Sequence, residues 1–229
     1  MDPMLMPDKP LFISELFYSI QGESTHAGFP CVFIRLAGCN LRCRYCDARY
    51  TYESPHASMT LETILSFVEG YPEIMVEITG GEPLLQDNVY PLMEMLLAKG
   101  RKVLLETNGS LSIDKVAPRV IVVMDIKSPG SGMEESFAKE NIALALQRNQ
   151  QLPGSCEIKF VLTDKNDYIW ARNLVNQYHL AMHTPTLFSP AKGELDPADL
   201  AAWMLHDKLL VRLQVQLHTM IWPHLTRGV

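Results

Sequence analysis

The stretch Gly38-Cys39-Asn40-Leu41-Arg42-Cys43-Arg44-Tyr45-Cys46-Asp47 holds three cysteines within eight residues. Three closely spaced thiolates suit a soft metal. A closed structural zinc site or a four-cysteine iron–sulfur cluster needs a fourth protein ligand. A cluster held by only three cysteines leaves one iron open to another group. On spacing alone, three other readings stay open: a zinc site completed by His26 or His56, redox thiols, and unrelated core residues.

The surroundings of this stretch indicate the fold. An apolar run at residues 31–36 leads into it and predicts a strand. The next strands are expected at 75–79, 102–106, 120–126 and 157–162, with a first one at 11–17 and weaker ones at 186–188 and 211–216. Helices are expected at 61–69, 88–99, 134–148, 167–178 and 197–206, with one more turn near 112–116. Gly100 stands where a left-handed cap belongs, and Asp196-Pro197 reads as an N-cap followed by proline at the first helical position. Strand–helix alternation favours parallel pairing with right-handed crossovers. About six βα units fall short of the eight that close a barrel. The expected fold is therefore α/β, an incomplete parallel (β/α)6-like barrel spanning residues 1–229 as one domain.

The unusual residues follow strands. The cysteine loop follows one strand, Gly80-Gly81-Glu82-Pro83 the next, Thr107-Asn108-Gly109 the third and Lys127-Ser128-Pro129-Gly130 the fourth. All should gather at the carboxyl ends of the strands, where such folds build active sites. Residues 38–59 make a long connection, and long loops in compact domains are commonly functional.

Bulk properties narrow the class. The chain has 229 residues, is 47% hydrophobic and 20% charged, and carries a formal charge of -6. That is ordinary globular composition, without the basic surface of a general nucleic-acid binder. Residues 1–10 show no apolar core of signal-peptide length, and no run reaches membrane-spanning length. The five cysteines, at 31, 39, 43, 46 and 156, do not form a disulfide framework. A reducing cytoplasm is the expected compartment. Cys31, Cys156 and the methionines are expected to be core residues.

Individual motifs allow both plain and functional readings. Paired glycines let backbone approach a ligand closely, and Glu82 beside them can accept from an ammonium group; the plain alternative is a tight turn. Asn108-Gly109 is a turn dipeptide. Arg35 lies in an apolar strand, where it can form a surface ion pair or grip a carboxylate bidentately.

Taken together, the cysteine triad and Gly80-Gly81-Glu82-Pro83 resemble the cluster and glycine-rich motifs of radical S-adenosylmethionine (SAM) enzymes. Phe17-Tyr18-Ser19-Ile20-Gln21-Gly22-Glu23, Gln216-Leu217-His218-Thr219-Met220-Ile221-Trp222 and, less specifically, Phe188-Ser189-Pro190 resemble 7-carboxy-7-deazaguanine synthases. This likeness covers nearly the whole chain. It implies a [4Fe–4S] cluster on Cys39, Cys43 and Cys46, with SAM on the open iron. SAM contacts would come from Tyr45, Cys46, Asp47, Gly81, Glu82, Asn108, Lys127 and Ser128. The implied reaction converts 6-carboxy-5,6,7,8-tetrahydropterin to 7-carboxy-7-deazaguanine with loss of ammonia, in 7-deazapurine and queuosine precursor biosynthesis. No protein nucleophile is required. Substrate contacts would come from Ile20, Gln21, Gly22, Arg35, Thr79, His218 and Val229, so that a short N-terminal extension binds substrate. A C-terminal segment would close the pocket, with Trp222 sealing the wall.

The resemblance further implies Mg2+, an electron donor such as flavodoxin or ferredoxin, and a homodimer; no nucleic-acid or membrane partner is implied. One departure matters. The family pattern Cys-Asp-Thr supplies a magnesium-ligating hydroxyl, and here the stretch is Cys46-Asp47-Ala48. Two rival functions are an activase that makes a glycyl radical on a partner protein and a non-catalytic metal-binding module.

Overall fold

The computed structural model describes residues 9–229, so the reading of the first residues as lacking a leader lies mostly outside the described part. In chain order the elements are β1 (Leu11–Ile20), β2 (Pro30–Leu36), α1 (Tyr50–Glu53), β3 (Ala57–Met59), α2 (Leu61–Glu69), β4 (Met75–Gly80), α3 (Val89–Ala98), β5 (Val103–Thr107) and β6 (Ile121–Asp125). There follow α4 (Glu140–Gln151), β7 (Cys156–Leu162), α5 (Lys165–Gln177), α6 (Leu180–His183), β8 (Thr186–Pro190), α7 (Pro197–His206), β9 (Arg212–Leu213) and α8 (Leu217–Ile221).

All the strands join one sheet in the order β3-β1-β2-β4-β5-β6-β7-β8-β9. From β2 to β9 neighbouring strands are parallel. The sheet has two edges, β3 and β9, so the barrel is incomplete. The first strand departs from the repeating βα scheme. β1 runs antiparallel to both β2 and β3, because the short link between β1 and β2 cannot carry a crossover.

Local chemistry fixes the helix ends. The Thr60 side chain accepts from the Thr63 N–H, Asp164 accepts from the Asn166 and Asp167 N–H groups, and Asp196 accepts from the Ala198 N–H ahead of Pro197. Gly100 takes a left-handed φ of 75° just past α3. Three expectations fail in detail. Residues 112–116 form turns rather than helix, held by Asn141, whose Oδ1 accepts from the Ile113 N–H. The segment expected as one helix from 134 splits into a 3-10 turn, Glu134–Ser136, and α4. The last strand shrinks to Arg212–Leu213, because the Ser189 hydroxyl takes the Gln214 carbonyl and the chain then turns into α8.

The two faces of the sheet differ sharply. Successive strand residues point to opposite sides. On one side Val32, Ile34, Leu36, Val76, Ile78, Val103, Leu105, Val122, Met124, Ile158, Phe160 and Phe188 join the main core, together with side chains of α2, α3, α4, α5 and α7. Each such side chain, fully buried, stabilises the fold by roughly 1.5–3 kcal/mol. The alternate positions read Arg35 on β2, Glu77 and Thr79 on β4, Glu106 on β5, Asp125 on β6, and Glu157 and Lys159 on β7. A smaller cluster of Cys31, Phe33, Met75 and Leu104, with Phe17 and Ile121 against it, fills the amino-terminal end of that inner side. Cys31 and Cys156 are buried, as expected. The methionines divide: Met93 and Met124 are core, whereas Met182 and Met220 are exposed.

Candidate active site

A chamber of about 430 Å3 opens at the carboxyl ends of the parallel strands. Its wall includes Cys39, Cys43 and Cys46 from the β2–α1 loop, Gly80 and Gly81 at the end of β4, Thr107 and Asn108 at the end of β5, and Lys127 after β6. The gathering of motifs expected from strand–helix order is thus present. The cysteine loop is pinned from several sides. Its Gly38 N–H donates to the Thr51 carbonyl and the Glu82 N–H donates to the Gly38 carbonyl, at 2.8 and 2.9 Å. The Arg44 Nε donates to the Gly130 carbonyl. A Cβ on Gly81 would lie 2.1 Å from the Gly38 carbonyl oxygen and 2.7 Å from the Cys39 Cβ. Only glycine lets β4 end directly against the first thiol.

The donor set fits an iron–sulfur cluster with one open iron. Three free thiols face the chamber, and the other two cysteines are buried elsewhere. Burial pushes the Cys43 thiol up, with the nearby Lys127 ammonium pulling against it. Among the described residues, no group of three or more His, Cys, Asp and Glu side chains is arranged to hold a single metal ion. His26 faces Glu157 at 3.6 Å and His56 packs edge-on against Phe12, so neither completes a zinc site with these thiols. A magnesium ion finds no built site either. Ala48 lines the chamber without an oxygen side chain, and the Thr51 hydroxyl donates to the Ala48 carbonyl at 2.7 Å. The Asp47 carboxylate is the oxygen side chain that lines the chamber beside Ala48, so a magnesium ion here would rely on it together with substrate and water.

Below the thiols the inner face of the sheet supplies charge. The Lys159 ammonium, 3% exposed, lies 2.5 Å from Glu23 Oε2, 2.5 Å from Glu106 Oε1 and 3.6 Å from Asp125 Oδ2. Burial would lower its pKa, but these carboxylates outweigh burial and hold it well above the usual range. Lys127 pairs with the same Asp125 oxygen at 2.8 Å, while Asp125 Oδ1 is buried without a partner. Two neighbouring carboxyl groups diverge. Burial raises Glu77, and repulsion from Glu106 and Glu23 adds to it, so Glu77 is held well above the carboxylate range. Burial also opposes ionisation of Glu106, but Lys159 and a hydrogen bond from the Thr79 hydroxyl hold it down at about 2. The two carboxyl groups are thereby pushed in opposite directions, Glu77 up and Glu106 down.

Arg35 lies above this floor. Its Nε donates to Glu15 Oε1 at 3.0 Å, and its guanidinium packs 5.5 Å from the centre of the Phe17 ring. Its two Nη groups make no hydrogen bond among the described residues, so the guanidinium keeps donors for an incoming carboxylate. Glu15 also accepts from the Tyr50 hydroxyl and from the Gly228 N–H, which ties the C-terminal segment to the arginine.

Most of the residues implied by resemblance meet in this chamber. Ile20, Gln21, Gly22, Arg35, Thr79, His218 and Val229 all line it, as do Tyr45, Cys46, Asp47, Gly81, Asn108 and Lys127. Two SAM-contact candidates do not reach its wall. Glu82 is fully buried, and its carboxylate accepts from the Thr107 hydroxyl and from the Asn108 and Leu84 N–H groups. It braces the β4 and β5 loops against each other instead of offering an oxygen to an ammonium. Ser128, also fully buried, donates to the Val161 carbonyl and Asp167. Trp222 does not line the chamber, whereas Leu225 and Thr226 do. Sequence reasoning missed Glu77 and Lys159 as lining residues. Their signal was a charge at every second position of an otherwise apolar strand, as in Val76-Glu77-Ile78 and Ile158-Lys159-Phe160.

Comparison with known proteins matches residues 33–127 to the radical SAM superfamily. The 7-carboxy-7-deazaguanine synthase of Chlorobaculum tepidum is 46% identical over 222 residues, covering 97% of this chain and 99% of that protein. The synthase of Koribacter versatilis is 41% identical over 231 residues, covering 95% and 99%. Among solved structures, QueE from Escherichia coli superposes with a TM-score of 0.72 at 23% identity, covering 90% of this chain and 94% of that one, which is a likeness of fold.

Proposed function

The chain belongs to the 7-carboxy-7-deazaguanine synthases, radical SAM enzymes, and from that premise we propose how its own residues serve the reaction. The enzyme converts 6-carboxy-5,6,7,8-tetrahydropterin to 7-carboxy-7-deazaguanine with loss of ammonia, a step towards queuosine precursors. Nothing in the chain supports a glycyl-radical activase or a non-catalytic module. The [4Fe–4S] cluster and SAM, when bound, supply reductive cleavage and hydrogen-atom abstraction.

The observation that carries the residue assignments is the convergence of the three thiols, the Gly80–Gly81 edge, Arg35 and the C-terminal segment on one chamber. Cys39, Cys43 and Cys46 hold the cluster. Tyr45, Asp47, Gly81, Asn108 and Lys127 surround SAM, with backbone beside Glu82 meeting its amino group. The Arg35 Nη groups grip the substrate carboxylate. Ile20, Gln21 and Gly22 read the pterin edge, and Thr79, His218 and Val229 complete the wall. The one continuous sheet supports reading the chain as a single domain, with β1 as the substrate-binding extension and residues after Leu213 as the closing segment.

The same reading includes a flavodoxin- or ferredoxin-type electron donor, a homodimer and a cytoplasmic setting. Five free cysteines suit a reducing compartment, and no helix of the described residues is long and apolar enough to cross a membrane. The donor and the dimer rest on family resemblance. No step is assigned to magnesium.

The test is anaerobic incubation of the cluster-loaded protein with SAM, a reductant and 6-carboxytetrahydropterin, followed by mass analysis. The expected product is 7-carboxy-7-deazaguanine. SAM cleavage with the pterin left unconsumed would contradict the assignment.

A further inference from the structure

We propose that Lys159 is a positioning residue that fastens the C-terminal closing segment to the floor of the barrel. The connection can be followed atom by atom. Lys159 on β7 holds Glu23 Oε2 and Glu106 Oε1, each at 2.5 Å. The other oxygen of Glu23 accepts from Gln216 Nε2 at 2.8 Å. Gln216 is the residue just ahead of α8. The next residue, Leu217, donates its N–H to the Gly22 carbonyl at 3.0 Å. A Cβ on Gly22 would lie 2.3 Å from His218 Nδ1, so the imidazole packs directly on that glycine. The β1–β2 loop is also held by Gln21 on Glu77 and by Thr25 on Glu157, but the path from the barrel floor to α8 and His218 runs from Lys159 through Glu23 and Gln216.

The physical reason lies in charge balance. Glu23 and Glu106 each place a carboxyl oxygen at hydrogen-bond distance from the same buried nitrogen. Without the ammonium they become like charges in a poorly hydrated space and must separate or take up a proton. Glu106 is anchored on β5 and also accepts from Thr79, whereas Glu23 sits in a loop. Glu23 is the one free to swing, and it carries Gln216 with it. Lys159 need not touch substrate for this; it acts through Glu23 and Gln216 on the wall that His218 completes. The inference rests on the substrate-site reading above for its affinity arm only.

The test uses the full-length, cluster-loaded enzyme under anaerobic conditions. Amide hydrogen exchange across residues 217–222 and the dissociation constant for 6-carboxytetrahydropterin are measured in wild type, Lys159→Met, Lys159→Arg and Gln216→Leu. Lys159→Met is expected to speed exchange across α8 by about tenfold or more and to weaken pterin binding by a similar factor. Exchange in α3 should stay unchanged. Lys159→Arg should restore most of both effects, because it keeps the charge. Gln216→Leu breaks only the last link and should loosen α8 with Lys159 intact, which keeps the test decisive where Lys159→Met fails to fold. Native exchange across α8 in either Lys159→Met or Gln216→Leu would overturn the proposal. Loosened α8 with unchanged pterin affinity would overturn the link to the substrate wall.

Discussion

Ile158 and Lys159 are neighbours on β7 and face opposite ways. Ile158 enters an apolar layer shared with the helices; Lys159 enters a chamber with Glu23, Glu106 and Asp125. The same division runs through β2, where Ile34 is core and Arg35 lines the chamber, and through β4, where Val76 and Ile78 flank Glu77. Hydrophobic burial is sufficient to hold such a sheet together from one side. Charges buried on the other side gain little net stability, because desolvation offsets much of their attraction. Their presence is best explained by what the inner face must bind, and the division can be attacked from both sides.

The largest contrast lies among the cysteines. Cys43→Ala should abolish the iron–sulfur cluster and with it SAM cleavage, read as loss of iron, sulfide and visible absorption. Cys156→Ala, on the outer face, should keep the full cluster. A Cys43 variant with undiminished iron would place the ligand elsewhere.

The next contrast is in pH dependence. Glu77 has a folded-state pKa raised by burial and by its carboxylate neighbours. Its protonated form is favoured on folding, so that contribution is present below the ordinary 4.5 and is lost as pH rises through the raised value. Glu106 is the reverse case. Its folded value near 2 contributes stability above 4.5 that is lost as pH falls towards 2. Glu77→Gln has no proton to lose, so it should gain stability relative to wild type as pH rises from 4.5. A gain of about 1 kcal/mol would appear as a Tm rise of about 2–4 °C. A stability difference that does not change with pH would mean that Glu77 is ionised in the fold.

The smallest expected effect concerns magnesium. With Ala48 offering no oxygen where the family pattern has a hydroxyl, removing divalent cations should change the turnover rate by less than about twofold. A loss of about tenfold on chelation, restored by Mg2+, would show that substrate and water hold the ion without a protein hydroxyl.

How far the sequence could be read follows from which residues bear the signal. The cysteine triad, the paired glycines and the Asn-Gly turn stand at strand ends, so strand–helix order alone brings them together. The outer core was equally readable from apolar runs. The antiparallel β1 was not, because a strand's direction depends on the link that follows it and not on its own residues. Glu82 and Ser128 lie off the chamber wall for a related reason. Proximity to a ligand-facing glycine does not tell which way the next side chain turns, and both turn inward to satisfy backbone donors and acceptors. Lys159 and Glu77 were overlooked although the alternation of charge with apolar residues was visible, because each strand shows only one or two such charges. Their meaning emerges when several strands are set side by side.

Ile34 and Arg35 give the most direct test of the division between the two faces, since they are adjacent residues of one strand. Chemical denaturation and pterin binding would be measured on Ile34→Ala and Arg35→Lys under identical anaerobic conditions. Ile34→Ala should lower unfolding free energy by about 2–5 kcal/mol while the folded enzyme binds 6-carboxytetrahydropterin normally. Arg35→Lys should leave stability within about 1 kcal/mol and weaken pterin binding by about 2–5 kcal/mol. Equal losses of stability and of affinity in both variants would contradict the separation of fold and chemistry on the two faces.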